Sequence, residues 1–331
     1  MYKRIISIII TLLMLLVLLS SCAQSEDWKE KGYDLSLPIL GEDGWYEVFY
    51  DDFSENILNP EIWTTSPHGL RWNTQTGNDL HSNYWCSDTV KVENAKVIIS
   101  SFETENHVCS EGVCPAKGRF SGGIETRLVI TNDSEDSKGQ HDELLFGQAY
   151  GYFEASVKLP NADGLWGAFW LQSSNQRKIG NEGMDGIEID IFESSFRRSR
   201  KSKMGHALLW DGYGEHSQVA DYILYLEEDL YDGFHTYALK WTPEYYVFYI
   251  NGKPTWATNS GGVSRVEQFI RLTVEIDAGD KWGPHGQRIG DFKYENEPQM
   301  IVDYVKVYQN SNYKQFIIDD SQFPGELDYD N

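Results

Sequence analysis

The 331-residue sequence has few cysteines, few basic residues and only one long apolar run. Its 28 lysines and arginines stand against 51 aspartates and glutamates, and this excess of negative charge disfavours binding to nucleic acid or to an anionic membrane surface. The four cysteines form no C-x₂-C pair, which disfavours a zinc site. The sequence contains no internal repeat, no long amphipathic helix and no glycine fingerprint of a dinucleotide-binding fold. Nucleic-acid-binding and dinucleotide-binding classes are therefore disfavoured.

The single apolar run lies at the start of the chain. Lys3 and Arg4 precede an apolar segment over residues 5–19, which ends in the sequence Leu-Ser-Ser-Cys at Cys22. The run is short for a membrane-spanning helix, which needs about 20 apolar residues, although a single-pass anchor stays an alternative. The segment resembles a bacterial lipoprotein signal, so we expect cleavage after residue 21 and lipid attachment to Cys22. The expected location is the bacterial cell envelope at the outer membrane, either surface-exposed or periplasmic, with residues 22–44 as anchor and spacer.

Short apolar and aromatic segments separated by Gly, Pro, Asn and Asp turns predict an all-β fold. Asn251-Gly252 is a hairpin signal. The pattern suits a two-sheet sandwich over residues 45–309. Residues 310–331 are acidic and polar, and we expect a loosely held tail there. The predicted strands are 46–49, 90–100, 151–159, 167–172, 187–193, 235–241, 245–250, 269–275 and 300–308.

Three carboxylates lie on one short isoleucine-rich segment with the sequence EIDIFE. In a regular strand Glu188 and Asp190 share a face, whereas Glu193 points the other way. A β-bulge within residues 191–192 would return Glu193 to the face of Glu188. Closely packed like charges drive pKa values apart, so that one acid is protonated beside an ionised carboxylate, as glycoside hydrolysis requires. The alternative is a strand whose charges lie on a solvated face.

The pattern E-x-D-x-x-E resembles glycoside hydrolase family 16, the laminarinase, agarase and endo-β-galactosidase family, in its bulged branch. The resemblance implies a jelly-roll sandwich of the concanavalin A type with a concave substrate cleft. It assigns Glu188 as the nucleophile, Glu193 as the acid and base, and Asp190 as the carboxylate that orients and tunes them. Further segments that match the family, in the same order, are 150–160, 164–171, 234–241, 249–253 and 302–308.

The resemblance implies an endo-acting, retaining glycoside hydrolase, and we expect a laminarinase-like enzyme that cuts β-1,3-glucan. One alternative is an endo-β-galactosidase acting on galactan or host O-glycans, which the Trp-Asp-Gly-Tyr sequence at 210–213 and the basic residues of 197–203 favour weakly. A second alternative is a glycan-binding protein on the same scaffold that does not cut. The expected partner is a polysaccharide or oligosaccharide, the expected state is a monomer, and no cofactor is expected for catalysis.

Aromatic residues make up 14% of the sequence, and their rings both fill sandwich cores and stack on sugars. Trp166 and Trp170 precede the acids and are candidates for the cleft, although Trp170 fits the core equally well. Trp72 and Trp282 lie in loop-like stretches where an exposed indole suggests a ligand. His206 is a candidate polar contact to substrate.

The remaining candidates concern cysteines and a metal. In an oxidising compartment Cys109 and Cys114 are predicted to bridge a small loop, with Cys86 left as a buried thiol. The family resemblance suggests a structural calcium ion at Asp303. Calcium takes six or more oxygen ligands, of which the sequence offers this one, and a surface aspartate in a strand is an equal alternative.

Overall fold

The computed structural model describes residues 26–65, 69–72, 83–110, 115–129, 142–194, 203–276 and 297–326. Short 3₁₀ helices cover Asp27–Glu30, Ser87–Thr89, Lys314–Phe316 and Asp320–Gln322. Among the described residues, no helix has the length and apolar character needed to cross a membrane. The strands are β1 Trp45–Asp51, β2 Thr64–Thr65, β3 Gly69–Trp72, β4 Asn83–Trp85, β5 Val90–Val92, β6 Val97–Ser100, β7 Phe102–Thr104, β8 Gly118–Ser121, β9 Gly123–Glu125, β10 Arg127–Val129, β11 Asp142–Leu144, β12 Gly147–Gln148, β13 Gly151–Lys158, β14 Leu165–Gln172, β15 Glu188–Ser194, β16 Lys203–Trp210, β17 Gln218–Tyr225, β18 His235–Trp241, β19 Tyr246–Ile250, β20 Lys253–Thr258, β21 Gln268–Ile276 and β22 Gln299–Asn310.

Two eight-stranded antiparallel sheets form the sandwich. The front sheet has the order β17-β16-β15-β14-β21-β9-β2, with β12 paired to β21, and it carries the acid strand β15. The back sheet has the order β20-β19-β18-β13-β22-β6-β5, with β1 paired to β22. The many crossovers between non-consecutive strands are typical of a jelly roll. The predicted fold class is confirmed.

A single large hydrophobic core lies between the two sheets. Because side chains alternate along a strand, each sheet gives one face to this core. The rings of Phe192 on β15 and Tyr237 on β18 meet with centroids 4.1 Å apart, and both residues are fully buried. The inner face of β15 is therefore fixed by packing, which leaves its other face for polar side chains.

The predicted strand over residues 90–100 is wrong in one respect, because a hairpin divides it into β5 and β6. Glu93 and Lys96 exchange backbone hydrogen bonds of 3.0 and 3.1 Å, and the two residues between them, Asn94 and Ala95, have positive φ values of 53° and 56°. Strands β2–β4 and β7–β12 were not predicted, because each has at most four residues. Strands β16, β17 and β20 were not predicted either, because their sequences mix apolar and polar residues without strict alternation.

The predicted spacer packs against the back sheet over its described part. Trp28 is buried. The Lys240 ammonium on β18 lies 3.1 Å from a carboxylate oxygen of Asp34, and the Tyr249 hydroxyl on β19 donates to the Ser36 carbonyl at 3.1 Å. The described part of the spacer, residues 26–44, is therefore attached to the folded body. Cys22 lies outside the described residues, so its lipid attachment stays a prediction.

The expectation of a loosely held tail is wrong for residues 311–326. The Ile318 amide donates to the Arg265 carbonyl at 2.9 Å, and the Tyr150 hydroxyl donates to the Phe316 carbonyl at 3.1 Å. Beyond them, the Lys178 ammonium donates to the Phe323 carbonyl at 3.2 Å. Acidic composition indicated disorder, but backbone hydrogen bonds to the body hold this segment.

Candidate active site

Strand β15 contains the β-bulge that the sequence predicts. In the pairing with β16, Glu188 lies opposite Leu209, Asp190 opposite residue 207 and Glu193 opposite residue 205. Three steps along β15 therefore cover two along β16 between the last two pairs, and the pairing with β14 is irregular at the same place. The partners on β16 are spaced by two, so all three acids share one face of the front sheet.

This outer face of the front sheet forms the candidate site. Residues directly opposite each other on antiparallel strands project to the same side. On β14, Gln172 lies opposite Glu188, and Trp170 lies opposite Asp190. On β21, Arg271 lies opposite Trp170. The three neighbouring strands β14, β15 and β21 therefore contribute to the surface around the acids.

Glu188 is held by two donors. The Tyr213 hydroxyl donates to Oε2 of Glu188, and Nε2 of Gln172 lies 3.4 Å from the same oxygen. The Gln172 amide also donates to the Tyr213 hydroxyl at 2.8 Å. These donors favour the ionised form of the carboxylate. Burial and the neighbouring charge of Glu188 raise the pKa of Tyr213 well above its ordinary value, so the phenol keeps its hydrogen.

The other two acids favour their protonated forms. Burial raises the pKa of Asp190 well above its ordinary value, and the charges of Glu193 and Glu188 raise it further. Burial, followed by the charges of Glu188 and Asp221, raises the pKa of Glu193 to about 8, against a lowering hydrogen bond from the Trp166 side chain. Near neutral pH, Glu193 therefore carries a proton beside a carboxylate that accepts two hydrogen bonds.

A buried charge network supports this site from the side of β21. Nη1 of Arg271 donates to Oε1 of Gln172 at 3.0 Å, which orients the Gln172 amide towards Glu188. Nε of Arg271 lies 2.8 Å from Oε2 of Glu125, whose Oε1 lies 3.1 Å from Nη2 of Arg127. Glu125 is fully buried. Buried charges need such partners, and here the pairing fixes the Arg271 guanidinium in place.

The tryptophans of β14 lie on the outer face of the front sheet and outside the inter-sheet core. Trp170 is only 8% exposed and packs with Trp85 and Ala168 in a separate small cluster, against which the half-buried Trp166 rests. The indole of Trp170 donates to Oγ1 of Thr273 at 3.0 Å, and the Arg271 guanidinium lies 4.0 Å from the Trp170 ring centroid. Trp170 is thus a buried ring that packs beside the acid strand, whereas Trp166 keeps an exposed surface beside Glu193.

The prediction that His206 contacts substrate is wrong. His206 is fully buried on the inner face of β16, where its ring stacks on Phe248 with centroids 4.7 Å apart. Its Nδ1 lies 2.7 Å from the Ile191 carbonyl, and its Nε2 lies 2.9 Å from Oγ1 of Thr255. Because a carbonyl oxygen only accepts, Nδ1 carries a hydrogen and satisfies a carbonyl within the bulge.

Other predicted residues lie away from the acids or outside the described residues. Trp72 ends strand β3, but its side chain is outside the described part, as are Trp282 and Cys114. Cys109 is disulfide-bonded, and its pairing with Cys114 stays a prediction. Asp303 on β22 accepts a hydrogen bond from the Lys96 ammonium. A cationic side chain beside this carboxylate does not fit a calcium ion there.

Sequence reasoning missed four residues of the site: Gln172, Tyr213, Asp221 and Arg271. Gln172 had a signal, because it follows Trp166 and Trp170 at even spacing on one strand. Tyr213 lies in the Trp-Asp-Gly-Tyr sequence, which indicated a substrate preference but not a contact with Glu188, and a loop after β16 brings it there. Arg271 and Asp221 had no signal, because strand pairing brings them to the acids.

Comparison with known proteins places the chain in a family. Residues 113–296, more than half of the chain, match the model of glycosyl hydrolases family 16. A relative named beta-glucanase, from Rhodothermus marinus, is 26% identical over 288 residues, covering 80% of this chain and 85% of that protein. The chain spans only about a third to a half of the length of the first curated relatives that it matches.

Solved structures agree on the fold. The catalytic domain of an endo-1,3-beta-glucanase (laminarinase) from Thermotoga petrophila RKU-1 superposes with a TM-score of 0.58 at 20% identity, covering 82% of this chain and all of that one. A structure described by the words "Prominent members of the human gut microbiota express endo-acting O-glycanases to initiate mucin breakdown" gives a TM-score of 0.60 at 17% identity, covering 88% of this chain and 98% of that one. At these identities the likeness concerns the fold alone.

Proposed function

Because the chain belongs to glycosyl hydrolases family 16, we propose that it is an endo-acting, retaining glycoside hydrolase that cuts internal β-linkages of a glucan, with β-1,3-glucan as the leading substrate. One observation carries the proposal. On a single face, Glu188 accepts hydrogen bonds from Tyr213 and Gln172, while the pKa of Glu193 is raised to about 8. A nucleophile and a proton donor need these opposite protonation states.

In the first step, Glu193 gives its proton to the glycosidic oxygen as the bond from this oxygen to the anomeric carbon breaks. Glu188 attacks the anomeric carbon and forms a glycosyl ester. The ester carries no negative charge, so the contribution of Glu188 to the raised pKa of Glu193 disappears. The pKa of Glu193 is therefore lower in the glycosyl-enzyme, and Glu193, which has just given up its proton, stays ionised as the base of the second step.

In the second step, the ionised Glu193 takes a proton from water, the water oxygen bonds to the anomeric carbon, and Glu188 leaves as a carboxylate. Two inversions at the same carbon retain its configuration. Asp190 lies between the two glutamates on the strand, and its raised pKa keeps it neutral, so it adds no third negative charge to the site. This refines its predicted role as a carboxylate that raises the pKa of the acid.

The curated relative named beta-glucanase and the laminarinase structure support a glucan as substrate. An endo-β-galactosidase that acts on galactan or O-glycans is the second candidate. One support is the Trp-Asp-Gly-Tyr sequence, whose last residue, Tyr213, donates a hydrogen bond to the nucleophile. The other is the similarity in fold to the structure described with endo-acting O-glycanases. Most of the basic segment at 197–203 lies outside the described residues and adds nothing here.

The experiment is to incubate the chain with laminarin, mixed-linkage glucan, agarose, galactan and mucin O-glycans and to identify the released oligosaccharides. Glu188→Gln removes the nucleophile, and Glu47→Gln, an exposed residue of the back sheet, is the matched control. Products from laminarin that vanish only in Glu188→Gln support the proposal. Products from galactan or O-glycans alone favour the second candidate. Equal products from wild type and Glu188→Gln would exclude Glu188 as the nucleophile.

We further propose that lipid attachment to Cys22 tethers the enzyme to the cell envelope, with the substrate reached from the outer membrane. The signal-like run before Cys22 supports this proposal. Growth with a labelled fatty acid should label the wild-type chain and leave Cys22→Ala unlabelled. Label retained in the Cys22→Ala chain would contradict it.

A further inference from the structure

A compact group of donor atoms lies around the start of the short helix Ser87–Thr89. Cys86, Asp88, His107 and Cys109 each bring one sulfur, nitrogen or carboxylate oxygen, and these atoms all lie within 4.8 Å of one another. None of these residues has a part in the hydrolysis described above. Cys86 is fully buried, whereas the side chains of His107 and Asp88 are only 10% and 19% exposed.

Four of the six separations between these atoms match the edges of a tetrahedron around zinc, and the other two are at most 4.8 Å. Zinc–sulfur bonds of about 2.3 Å and zinc–nitrogen or –oxygen bonds of about 2.0 Å imply edges of about 3.8 Å between two sulfurs, about 3.5 Å from sulfur to nitrogen or oxygen, and about 3.3 Å from nitrogen to oxygen. The observed separations are 3.7 Å between the Cys86 and Cys109 sulfurs and 3.4 Å from the Cys86 sulfur to Nε2 of His107. Those from Oδ2 of Asp88 are 3.6 Å to the Cys86 sulfur and 3.3 Å to Nε2 of His107.

The surroundings hold each donor in place. The Ser110 amide donates to Oδ2 of Asp88 at 3.0 Å, and the Ser110 hydroxyl donates to Oδ1. The ring of His107 packs on Phe120 with centroids 4.3 Å apart. The Cys86 amide donates to the carbonyl of Ser121 at 3.0 Å. Outer contacts of this kind orient the ligands of a metal site.

We propose that Cys86, Asp88, His107 and Cys109 bind one zinc ion when Cys109 is in its thiol form. Two thiolates, an imidazole and a carboxylate suit zinc among the common divalent metals. The expectation that the cysteine spacing disfavours zinc is revised, because the fold brings His107 to Cys86 across 21 positions.

The disulfide at Cys109 and the zinc ion exclude each other. A two-electron reductant of the dithiol or phosphine class breaks the sulfur–sulfur bond, two protons are taken up, and two thiols result while the reductant is oxidised. Zinc then replaces one proton on Cys86 and one on Cys109, and both protons pass to solvent. The same site thus has an oxidised form without zinc and a reduced form that binds it.

The test uses the full chain, reduced with a phosphine and transferred to metal-free, oxygen-free buffer. The expected result is about one zinc per reduced chain by elemental analysis and none in the oxidised chain. Cys86→Ser and His107→Ala should each weaken zinc binding by more than the roughly 10- to 100-fold that loss of an outer hydrogen-bond partner causes. His216→Ala removes an exposed histidine and should leave zinc binding unchanged.

Cobalt binding to the reduced wild-type chain gives an independent readout if a variant fails to fold. A thiolate-to-cobalt charge-transfer band together with the visible bands of tetrahedral cobalt would support the site. No zinc uptake by the reduced chain, equal uptake by the wild type and both variants, or a cobalt spectrum without the thiolate band would each overturn the proposal.

Discussion

The phenol of Tyr213 donates its hydrogen to Oε2 of Glu188, from a loop 25 residues further along the chain. The Arg177 guanidinium, from the loop before β15, lies 4.9 Å from the Tyr213 ring centroid. Burial and the charge of Glu188 keep the pKa of Tyr213 well above its ordinary value, so the phenol keeps the hydrogen that it donates. Tyr213 therefore acts on the nucleophile as a fixed donor.

Tyr213→Phe is expected to lower kcat/KM by about 10- to 100-fold, since a hydrogen bond to a charged group contributes about 1.5–3 kcal/mol. The ionised form of Glu188 loses a donor, so the acid limb of the kcat/KM profile should move to higher pH. The profile is measured on the substrate identified above. An unchanged acid limb would show that Tyr213 serves packing alone, and Tyr225→Phe, an exposed tyrosine, is the matched control.

Asp221→Asn is expected to move the basic limb of the kcat/KM profile to lower pH. The pKa of Glu193 is raised to about 8, so its catalytic proton is present below that pH and lost above it. Removing the negative charge of Asp221 lowers this pKa, and the change is limited because Asp221 is exposed and its charge is screened by solvent. The profile should be recorded at low and at high salt. A basic limb that stays in place at low salt would contradict the assignment of Glu193 as the acid.

His206→Leu is expected to destabilise the bulge, because it leaves the buried Ile191 carbonyl without its donor, at a cost of about 1–3 kcal/mol. His206→Asn is the matched control, since its amide can place a donor near the position of Nδ1. The Leu variant should show a lower melting temperature and a lower kcat than the Asn variant. Equal values for the two variants would mean that the carbonyl is satisfied in another way.

The C-terminal segment supports the loop that precedes β15. The Ile179 amide donates to the Glu326 carbonyl at 2.9 Å, next to the contact between Lys178 and Phe323. Gln176 of the same loop exchanges hydrogen bonds of 3.0 and 3.2 Å with Gly212, the residue before Tyr213. Contacts therefore run without a break from the tail to the donor on Glu188.

A chain that ends at residue 319 is expected to keep its fold and lose activity by about 3- to 10-fold, corresponding to roughly one hydrogen bond's contribution of about 1 kcal/mol at the site. The measurement is kcat/KM together with the melting temperature. Lys178→Met, which removes one of the contacts with the tail, should give an intermediate loss. Full activity in the truncated chain would show that the tail does not support the active site.

The sequence was sufficient to predict the two-sheet fold and the bulge. Three acids with mismatched spacing on an isoleucine-rich strand need an extra residue to share a face, and the structure has it. The supporting residues were not predictable because they depend on long-range pairing: Arg271 reaches Gln172 across 99 positions. His206 was misassigned because a polar residue near the acids says nothing about its face, whereas strand register places it in the core.

The C-terminal segment was misread for a related reason. Its acidic and polar composition indicated a loosely held tail, yet a few hydrogen bonds, such as that from Lys178 to the Phe323 carbonyl, hold residues 311–326 on the body. Composition averages over a window, whereas docking depends on single residues.

The bulge in β15 has a consequence for how such an acid site can be gained or lost. Successive side chains on a strand point to opposite faces, so the face to which Glu193 projects depends on the number of residues between it and Asp190. Exchanging one amino acid for another at position 191 does not change the spacing of Asp190 and Glu193, whereas removing or adding one residue between them turns the proton donor towards the core between the sheets. The orientation of Glu193 is therefore insensitive to which side chains stand between the two acids and sensitive to the insertion or deletion of one residue there.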